Sequence, residues 1–281
     1  ITSQSYLTPR NTRDGGSIIV RNHLSNQTEE GGVMFYENYK HSASAGNLWL
    51  ENMSAWVWRY GFKNWGKDSP RANMGKAVEQ AVYSALDGYT DPDAVEITAT
   101  AIFDKMHEGE VHDEREAVGP ISRRMLDKLA SLGTGYTRRP REAVEVDGLL
   151  RRVNFEADLF HDDLGIVDLK ATLRMGWGEG KDPTPHWGHV RQQGLYRRLT
   201  GRPVNLLYAT PKRVEFYPVP AADADRGADE LLAAFAQIER WADQFPTPEQ
   251  AVRFIPLNTE TFYWDDKEAV FAARKLWGSA A

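Results

Sequence analysis

The chain has 281 residues, of which 41 % are apolar and 11 % aromatic, enough for a buried core and near the upper limit for one compact unit. It contains no cysteine, which excludes disulfides, thiolate zinc sites, iron–sulfur clusters and cysteine nucleophiles. No apolar run approaches the ~20 residues that cross a bilayer, and a formal net charge of −6 argues against non-specific coating of nucleic acid.

Charge is unevenly distributed along the sequence. Acids dominate residues 86–118 and bases dominate 171–213, while a smaller basic cluster comprises Arg138, Arg139, Arg141, Arg151 and Arg152. This segregation predicts a face that binds a polyanion, opposite an acidic back. Chance clustering of exposed charges is the alternative.

The N-terminal region is first polar and then aromatic. Residues 1–45 have little periodicity and predict an irregular arm or lid. Within 47–66 follow six aromatic residues: Trp49, Trp56, Trp58, Tyr60, Phe62 and Trp65. Such rings can stack on unpaired bases, but a dense aromatic patch is more often core, and core is the prediction here.

Helical periodicity appears next. Apolar residues at i, i+3, i+4 and i+7 predict a helix over about 73–87, which Gly88 ends, with Glu79 on the shoulder of the apolar stripe. The two following elements are a strand over 95–103 and a helix over 120–132 that Gly133 closes.

A hairpin is predicted in the middle of the chain. Residues 149–160 alternate as a strand that carries Asp158, residues 161–165 form a turn, and residues 166–173 return as a second strand. Side chains alternate between the faces of a strand, so Asp168 and Lys170 point the same way.

The remaining elements complete an α/β domain. They are a loop over 175–188, a helix over about 187–200, strands over 202–210 and 213–219, and helices over 227–243, 247–253 and 266–277. This order predicts one domain with a mixed sheet and helices packed against it. Its parts are an N-terminal arm and aromatic region (1–70), a core (71–220) and a helical C-terminal extension (221–281).

The Asp168-Leu169-Lys170 triplet is the first candidate for chemistry. Carboxylates bind hard cations such as Mg²⁺, and a neighbouring lysine can orient water or stabilise charge in a transition state. Alone, such a triplet is as well explained by a surface salt bridge. The apolar strand residues around it predict a half-buried position, where ionised groups are costly and need a reason.

Gln192 and Tyr196 are the second candidate. They lie four residues apart on the predicted helix and so share a face, where they could hydrogen-bond a phosphate or a base edge. An ordinary amphipathic helix with a polar edge is the alternative.

Together these residues resemble the PD-(D/E)XK nuclease superfamily, in its RecB-like and phage lambda-type exonuclease branch. Gly75 to Glu79 match the Gly-x-x-x-Glu helix motif, and Asp158 matches the metal-binding aspartate. Asp168 to Lys170 match the (Asp/Glu)-x-Lys element, and Gln192 to Tyr196 match the Gln-x-x-x-Tyr signature. The matches extend over about 74–210.

The resemblance implies a restriction-endonuclease-like fold with an αβββαβ core. It also implies a metal-dependent deoxyribonuclease, in the first place an exonuclease that acts in recombination, repair or phage replication. Glu79, Asp158 and Asp168, with the Leu169 carbonyl, would ligate one or two Mg²⁺ or Mn²⁺ ions, and Lys170 would be the catalytic lysine. The residues expected to bind DNA are Gln192, Tyr196, His189, Arg191, Arg197 and Arg198.

The same resemblance implies the setting of the protein. The expected location is cytoplasmic, in a bacterial host if the protein is phage-encoded. DNA is the expected partner, with a single-strand annealing or recombination protein and a homo-oligomer as further candidates.

Two departures from the family pattern are visible. Ala157 stands before Asp158 where the eponymous proline is found, and Glu79 stands where RecB-like members often have histidine, which favours the lambda-type branch. The absence of cysteine excludes the members with an iron–sulfur cluster, and no phosphate-binding loop motif is present, so no ATPase is fused to these residues.

Several alternatives remain at the level of sequence. His186 and His189 could suggest zinc, but no cysteine or matching acid pair accompanies them. Paired acids could suggest a glycosidase, although Lys170 and the basic segment after it fit a phosphodiester better than a sugar. A sequence-specific endonuclease and a non-catalytic DNA-binding module are the other two.

Overall fold

The computed structural model describes residues 39–108, 110–176 and 184–280, which belong to one compact unit. The predicted arm lies outside the described residues up to residue 38, and so does the part of the predicted loop at 177–183.

The N-terminal part of the described chain joins an aromatic core. Its elements are β1 (His41–Ser42), α1 (Ala43–Glu51), α2 (Met53–Trp56) and a π-helical turn (Val57–Gly61). Trp49 and Trp56 are only 3 % and 1 % exposed, which confirms the prediction of core for these two. Trp65 is 56 % exposed, so the same prediction is wrong for it.

Three helices follow and pack on one another: α3 (Pro70–Leu86), α4 (Val95–Met106) and α5 (Arg115–Leu132). The predicted helix over 73–87 is confirmed but begins earlier, because Ser69 accepts a hydrogen bond from the N–H of Ala72 and Pro70 occupies the first turn. The helix predicted over 120–132 is α5, and Gly133 caps it as expected.

The strand predicted over 95–103 is wrong, because this segment is helix α4. Its β-branched residues suggested a strand. The buried residues are nevertheless four apart, namely Val95, Ala99 and Phe103, and they pack against α3 and α5, while Ile97 is 76 % exposed. Burial of a helical stripe outweighed the intrinsic preference of the side chains.

The strands form two mixed sheets rather than the single one expected. The small sheet has the order β1-β3-β2, with β2 (Glu142–Val144) and β3 (Val153–Phe155). The larger sheet has the order β4-β5-β6-β7, formed by β4 (Leu159–His161), β5 (Gly165–Ala171), β6 (Val204–Ala209) and β7 (Val214–Pro218).

The β4–β5 hairpin is confirmed, since the two strands pair antiparallel with Leu159 opposite Val167. The single strand predicted over 149–160 is wrong, because β3 and β4 belong to different sheets and the chain leaves the ladder between them. Alternation of side chains continues through Ala157, which is buried, and it carries no information about which sheet a strand joins.

Helix α6 (Trp187–Thr200) connects β5 to β6, which pair in parallel, and it matches the predicted helix. Leu169 and Val167 face the α3–α5 helices on one side of the larger sheet, whereas Leu206 and Tyr208 lie in the apolar cluster that includes Tyr196 of α6. The sheet therefore separates two cores.

The C-terminal helices are α7 (Ala221–Gln244), α8 (Pro248–Ala251) and α9 (Lys267–Ala280), as predicted in kind. Helix α7 packs closely on α6 through two glycines. A Cβ atom at Gly194 would lie 2.0 Å from the carbonyl oxygen of Ala224, and one at Gly227 would lie 2.8 Å from the Cα of Arg191. In the part of the chain that the structure describes, no helix is both long and apolar enough to cross a membrane.

Candidate active site

Asp168 and Lys170 occupy alternate positions on the central strand β5, so they share a face as predicted. They stand opposite Leu206 and Tyr208 of β6. Asp168 is 1 % exposed, and its Oδ2 lies 2.5 Å from the Lys170 Nζ. Leu169, also 1 % exposed, points into the core on the other side of the sheet. Two charged groups are therefore held inside the fold.

Asp158 immediately precedes β4 and lies where the antiparallel pairing of β4 with β5 ends. Its Oδ2 accepts a hydrogen bond from the N–H of Leu169 at 2.7 Å. Because β4 pairs with β5 only as far as Val167, this carboxylate takes the place of the next strand carbonyl. The aspartate side chain is thus fixed in orientation by the backbone of β5.

Glu79 approaches from helix α3, where it follows the fully buried Val78. Burial raises the pKa of Glu79 to about 7; the charge of Lys170 opposes that rise and the charge of Asp168 adds to it. Burial also raises the pKa of Asp158, and the charges of Asp168 and Glu79 raise it further. The three carboxylates, hereafter the acidic cluster (Glu79, Asp158 and Asp168), therefore lie within electrostatic reach of one another.

The chemistry of the acidic cluster fits a divalent cation. Three hard oxygen donors suit Mg²⁺ or Mn²⁺, and neither carboxylate oxygen of Asp168 has a hydrogen-bond partner although both are buried. The Lys170 ammonium nevertheless lies 2.5 Å from Asp168 Oδ2 as an ion pair, so Oδ1 is the oxygen without any partner in the described chain. Among the described residues, no three His, Asp or Glu side chains already stand in a metal-binding arrangement. In this arrangement of the acidic cluster, the Lys170 ammonium is the positive charge next to Asp168.

Lys170 is held by a relay, that is, a chain of three hydrogen bonds through Gln192 and Tyr196 of helix α6. The Lys170 ammonium donates to Gln192 Oε1 at 3.2 Å, the Gln192 amide donates to the Tyr196 hydroxyl at 2.9 Å, and that hydroxyl donates to the Glu156 carbonyl at 2.7 Å. Burial acts to lower the pKa of Lys170, but the charges of Asp168 and Asp158 outweigh it and raise that pKa. Lys170 is therefore a fixed cation at neutral pH.

His189 and His186 take different places near the start of α6. His189 Nδ1 lies 2.8 Å from the Tyr208 hydroxyl, and burial, with the Lys170 charge, lowers the pKa of His189 to about 2. His186 Nδ1 accepts a hydrogen bond from the N–H of Gly188 and so caps the helix. A neutral His189 can exchange hydrogen bonds but contributes no positive charge.

A cavity of about 1300 Å³ opens beside these residues. It is lined by Glu79, Asp158 and Lys170, and by His189, Gln192 and Tyr196 among the residues expected to bind DNA. It also has a basic lining: Lys40, Arg59, Lys76, Arg138, Arg139 and Arg141. The structure thus brings the three acids, the lysine and the polar residues of α6 to one region.

The arginines expected on the DNA-binding face of α6 lie elsewhere. Arg197 pairs with Asp225 at 3.3 Å, Arg198 with Asp229 at 2.8 Å, and Arg191 with Glu230 at 2.7 Å. None of these arginines is in the lining of the cavity. They connect α6 to α7. Of the smaller basic cluster, only Arg138, Arg139 and Arg141 line the cavity beside the acids.

Tyr83 is a residue of the site that the sequence reasoning missed. It lies one helical turn after Glu79 on α3 and also lines the cavity. Burial raises the pKa of Tyr83, as does the neighbouring Asp158 carboxylate, and the Arg138 guanidinium lies over its ring at 4.7 Å. The i, i+4 spacing from Glu79 was the available signal, since it places both side chains on one helix face.

No family model matches the sequence, and no curated protein matches it. Among solved structures, a protein from Eubacterium rectale named "Putative exonuclease" is similar with a TM-score of 0.52 and 15 % sequence identity, covering 73 % of this chain and 82 % of that one. At this identity the likeness shows a shared mixed α/β fold. A second structure, named SSO0001, has a TM-score of 0.27 and 16 % identity over 66 % of this chain and 86 % of that one, too low to carry an argument.

Proposed function

We propose that this protein is a divalent-metal-dependent nuclease that hydrolyses DNA, acting as an exonuclease at strand ends. The observation that carries the proposal is the acidic cluster with Lys170, beside a cavity lined by basic side chains. Buried carboxylates that repel one another are costly to a fold, and a bound divalent cation would offset that cost. The fold likeness to the protein named "Putative exonuclease" supports the same activity.

The proposal includes the αβββαβ core of restriction-endonuclease-like nucleases. In it, α3 carries the first acid, the β4–β5 hairpin carries the other two acids and the lysine, and α6 leads to β6. The biological setting we propose is the processing of DNA ends in recombination, repair or phage replication.

The side chains have distinct roles in this reaction. Glu79, Asp158 and Asp168 would hold one or two Mg²⁺ or Mn²⁺ ions, with the Leu169 carbonyl as a further donor. When bound, such an ion supplies neutralisation of the phosphate and a lower pKa for water. Lys170, oriented by Gln192, donates to the phosphate oxygen on which charge develops. The water oxygen bonds to phosphorus as the bond to the 3′-oxygen breaks, leaving a 5′-phosphate and a 3′-hydroxyl.

End-labelled single- and double-stranded DNA, incubated with Mg²⁺, Mn²⁺ or chelator, tests the proposal. We expect hydrolysis with either metal, none with chelator, and none from Asp168→Asn. The matched control is Asp162→Asn, an exposed aspartate in the turn of the same hairpin, which should retain wild-type activity. Equal hydrolysis by the wild type and Asp168→Asn would contradict the assignment.

A closed circular duplex separates the two kinds of nuclease, because an exonuclease needs an end. We expect the circle to survive and its linearised form to be degraded. Cleavage of the circle would favour an endonuclease. DNA binding without hydrolysis under any metal would favour a non-catalytic module.

A further inference from the structure

Two exposed aromatic side chains line the same cavity as the acidic cluster. Trp65 is 56 % exposed and Phe262 is 67 % exposed. Of the large hydrophobic side chains that are exposed in the described part of the chain, only these two belong to the cavity lining. These exposed rings contribute little to the apolar core. They present flat apolar surface to the same space as the acidic cluster and the basic side chains, where a ligand with aromatic faces could contact them.

Both rings are held in place from behind by other aromatic residues. Trp65 meets Tyr60 edge-on with ring centroids 4.8 Å apart, and Tyr60 stacks on the buried Trp56 at 5.5 Å. Phe262 contacts the Tyr263 ring at 4.0 Å, and the Tyr263 hydroxyl donates to Glu51 Oε2 at 2.5 Å. The aromatic surface is thus attached to the core through ordered side chains.

The cavity also contains positive charge that the described protein does not neutralise. Lys40, Arg59 and Arg139 line it, and within residues 39–108, 110–176 and 184–280 no carboxylate forms an ion pair with any of the three. The arginines of α6 differ, since each has a carboxylate partner on α7. Arg59 and Arg139 lie over aromatic rings instead, 5.6 Å from the Tyr263 centroid and 4.4 Å from the Phe160 centroid. Cations without a carboxylate partner, in a cavity that also has exposed rings, match the chemistry of phosphates beside nucleobases.

We propose that this part of the cavity binds an unpaired DNA strand, with bases stacked on Trp65 and Phe262 and phosphates beside Lys40, Arg59 and Arg139. The inference rests on the proposed function and adds the substrate class, which is a single strand or an unpaired end. Bases inside a duplex stack on each other and leave no face for a side chain. The cavity, at about 1300 Å³, also exceeds the ~300–1,000 Å³ of small-ligand pockets and accommodates a polymer segment.

Binding of a fluorescein-labelled thymidine oligonucleotide in chelator, followed by anisotropy, tests this inference without any hydrolysis. We expect Trp65→Ala and Phe262→Ala each to weaken binding about 5- to 150-fold, the effect of losing one base–aromatic stack. Trp65→Phe should stay within a few-fold of wild type. Phe271→Ala is the matched control, because Phe271 is 74 % exposed and lies outside the cavity lining.

An abasic oligonucleotide of the same length separates stacking from charge attraction. The wild type should bind it more weakly than the thymidine strand, whereas Trp65→Ala should discriminate much less between the two. A blunt duplex should bind all variants alike. Wild-type affinity of both alanine variants for the thymidine strand would overturn the inference, and so would an equal loss of affinity for the thymidine strand, the abasic strand and the blunt duplex.

The outcome is independent of the proposed activity. If binding depends on Trp65 and Phe262 but the wild type hydrolyses no DNA with Mg²⁺ or Mn²⁺, the nuclease assignment fails and the strand-binding site stands. If hydrolysis occurs and binding is indifferent to both rings, the strand-binding site alone fails.

Discussion

Two groups of buried carboxylates in this protein have opposite environments. Glu239, 8 % exposed, accepts hydrogen bonds from the His41 ring at 2.9 Å and from the N–H groups of Leu150 and Arg151 at 3.0 and 2.9 Å. In the acidic cluster, Asp168 is 1 % exposed and has an ion pair with Lys170, but no backbone N–H group of the described residues donates to it. Glu239 therefore has donors for both of its oxygens, whereas Asp168 has the Lys170 ammonium beside one oxygen and, in the part of the chain that is described, no partner for the other.

This contrast separates a carboxylate that holds the fold together from a cluster that we propose to bind a cation. Glu239 connects β1, the loop before β3 and helix α7, so its charge is part of what holds these elements together. In the acidic cluster, neighbouring carboxylates add to the burial that raises the pKa of Glu79 and of Asp158, an arrangement that opposes folding and that a bound cation would relieve.

The largest effect is expected for Lys170→Ala. Loss of the ammonium removes the fixed cation next to the acids, so DNA hydrolysis should fall on the order of 10²- to 10³-fold. Rates with end-labelled DNA measure this, with Lys212→Ala as the control, because Lys212 is exposed and lies outside the cavity lining. A loss below about 10-fold would remove Lys170 from the proposed machinery.

Glu239→Ala should instead destabilise the fold. It leaves two backbone N–H groups and the buried His41 ring without an acceptor, so the free energy of unfolding should fall by about 2–4 kcal/mol. Urea unfolding measures it, and Glu260→Ala, an exposed glutamate, is the control. A fall in the free energy of unfolding of less than about 1 kcal/mol would contradict a stabilising role for the Glu239 hydrogen bonds.

Glu79→Gln should do the reverse and stabilise the protein in chelator. The folded-state pKa of Glu79 is raised from 4.5 to about 7, so the folded protein binds this proton more tightly than the unfolded chain. Stability is therefore lost as pH rises from about 4.5 to 7, and the full penalty applies above 7.

The amide removes that penalty. Unfolding free energies in chelator should match the wild type near pH 4.5 and exceed it on the order of 1–3 kcal/mol above pH 7. A variant that is less stable than the wild type at pH 8 would contradict the raised pKa.

The smallest effect is expected for Gln192→Ala, which removes the acceptor of Lys170 without touching the acids. Hydrolysis should slow by about 10-fold, as one net hydrogen bond to a charged group is worth ~1.5–3 kcal/mol. Gln193→Ala is unsuitable as a control because Gln193 is fully buried, whereas Arg198→Ala on the exposed side of α6 is suitable. An unchanged rate would place the relay outside catalysis.

Local signals in the sequence predicted the elements that form the site. The hairpin, the helix that carries Gln192 and the shared face of Asp168 and Lys170 depend on contacts between near neighbours in the chain, and all are found. Whether the three acids ligate a metal stays a prediction, since it depends on a ligand rather than on the fold.

Features that depend on distant contacts could not be predicted. Helix α4 has strand-like residues and is helical because it packs between α3 and α5. The α6 arginines pair with acids about 30 residues or more later in the chain, so each is engaged by a carboxylate of α7. Trp65 has the same sequence signal as the buried Trp56, and only the path of the chain after the π-helical turn exposes it.

The glycine contact between α6 and α7 has a consequence for how this protein can change. Gly194 follows Gln192 by two residues, and a methyl group there would collide with the Ala224 carbonyl at 2.0 Å. Any larger residue at that position would push α6 away from α7 and displace Gln192, which accepts the hydrogen bond of Lys170. A substitution on the side of α6 that faces α7 would therefore act on the candidate site through the spacing between the two helices.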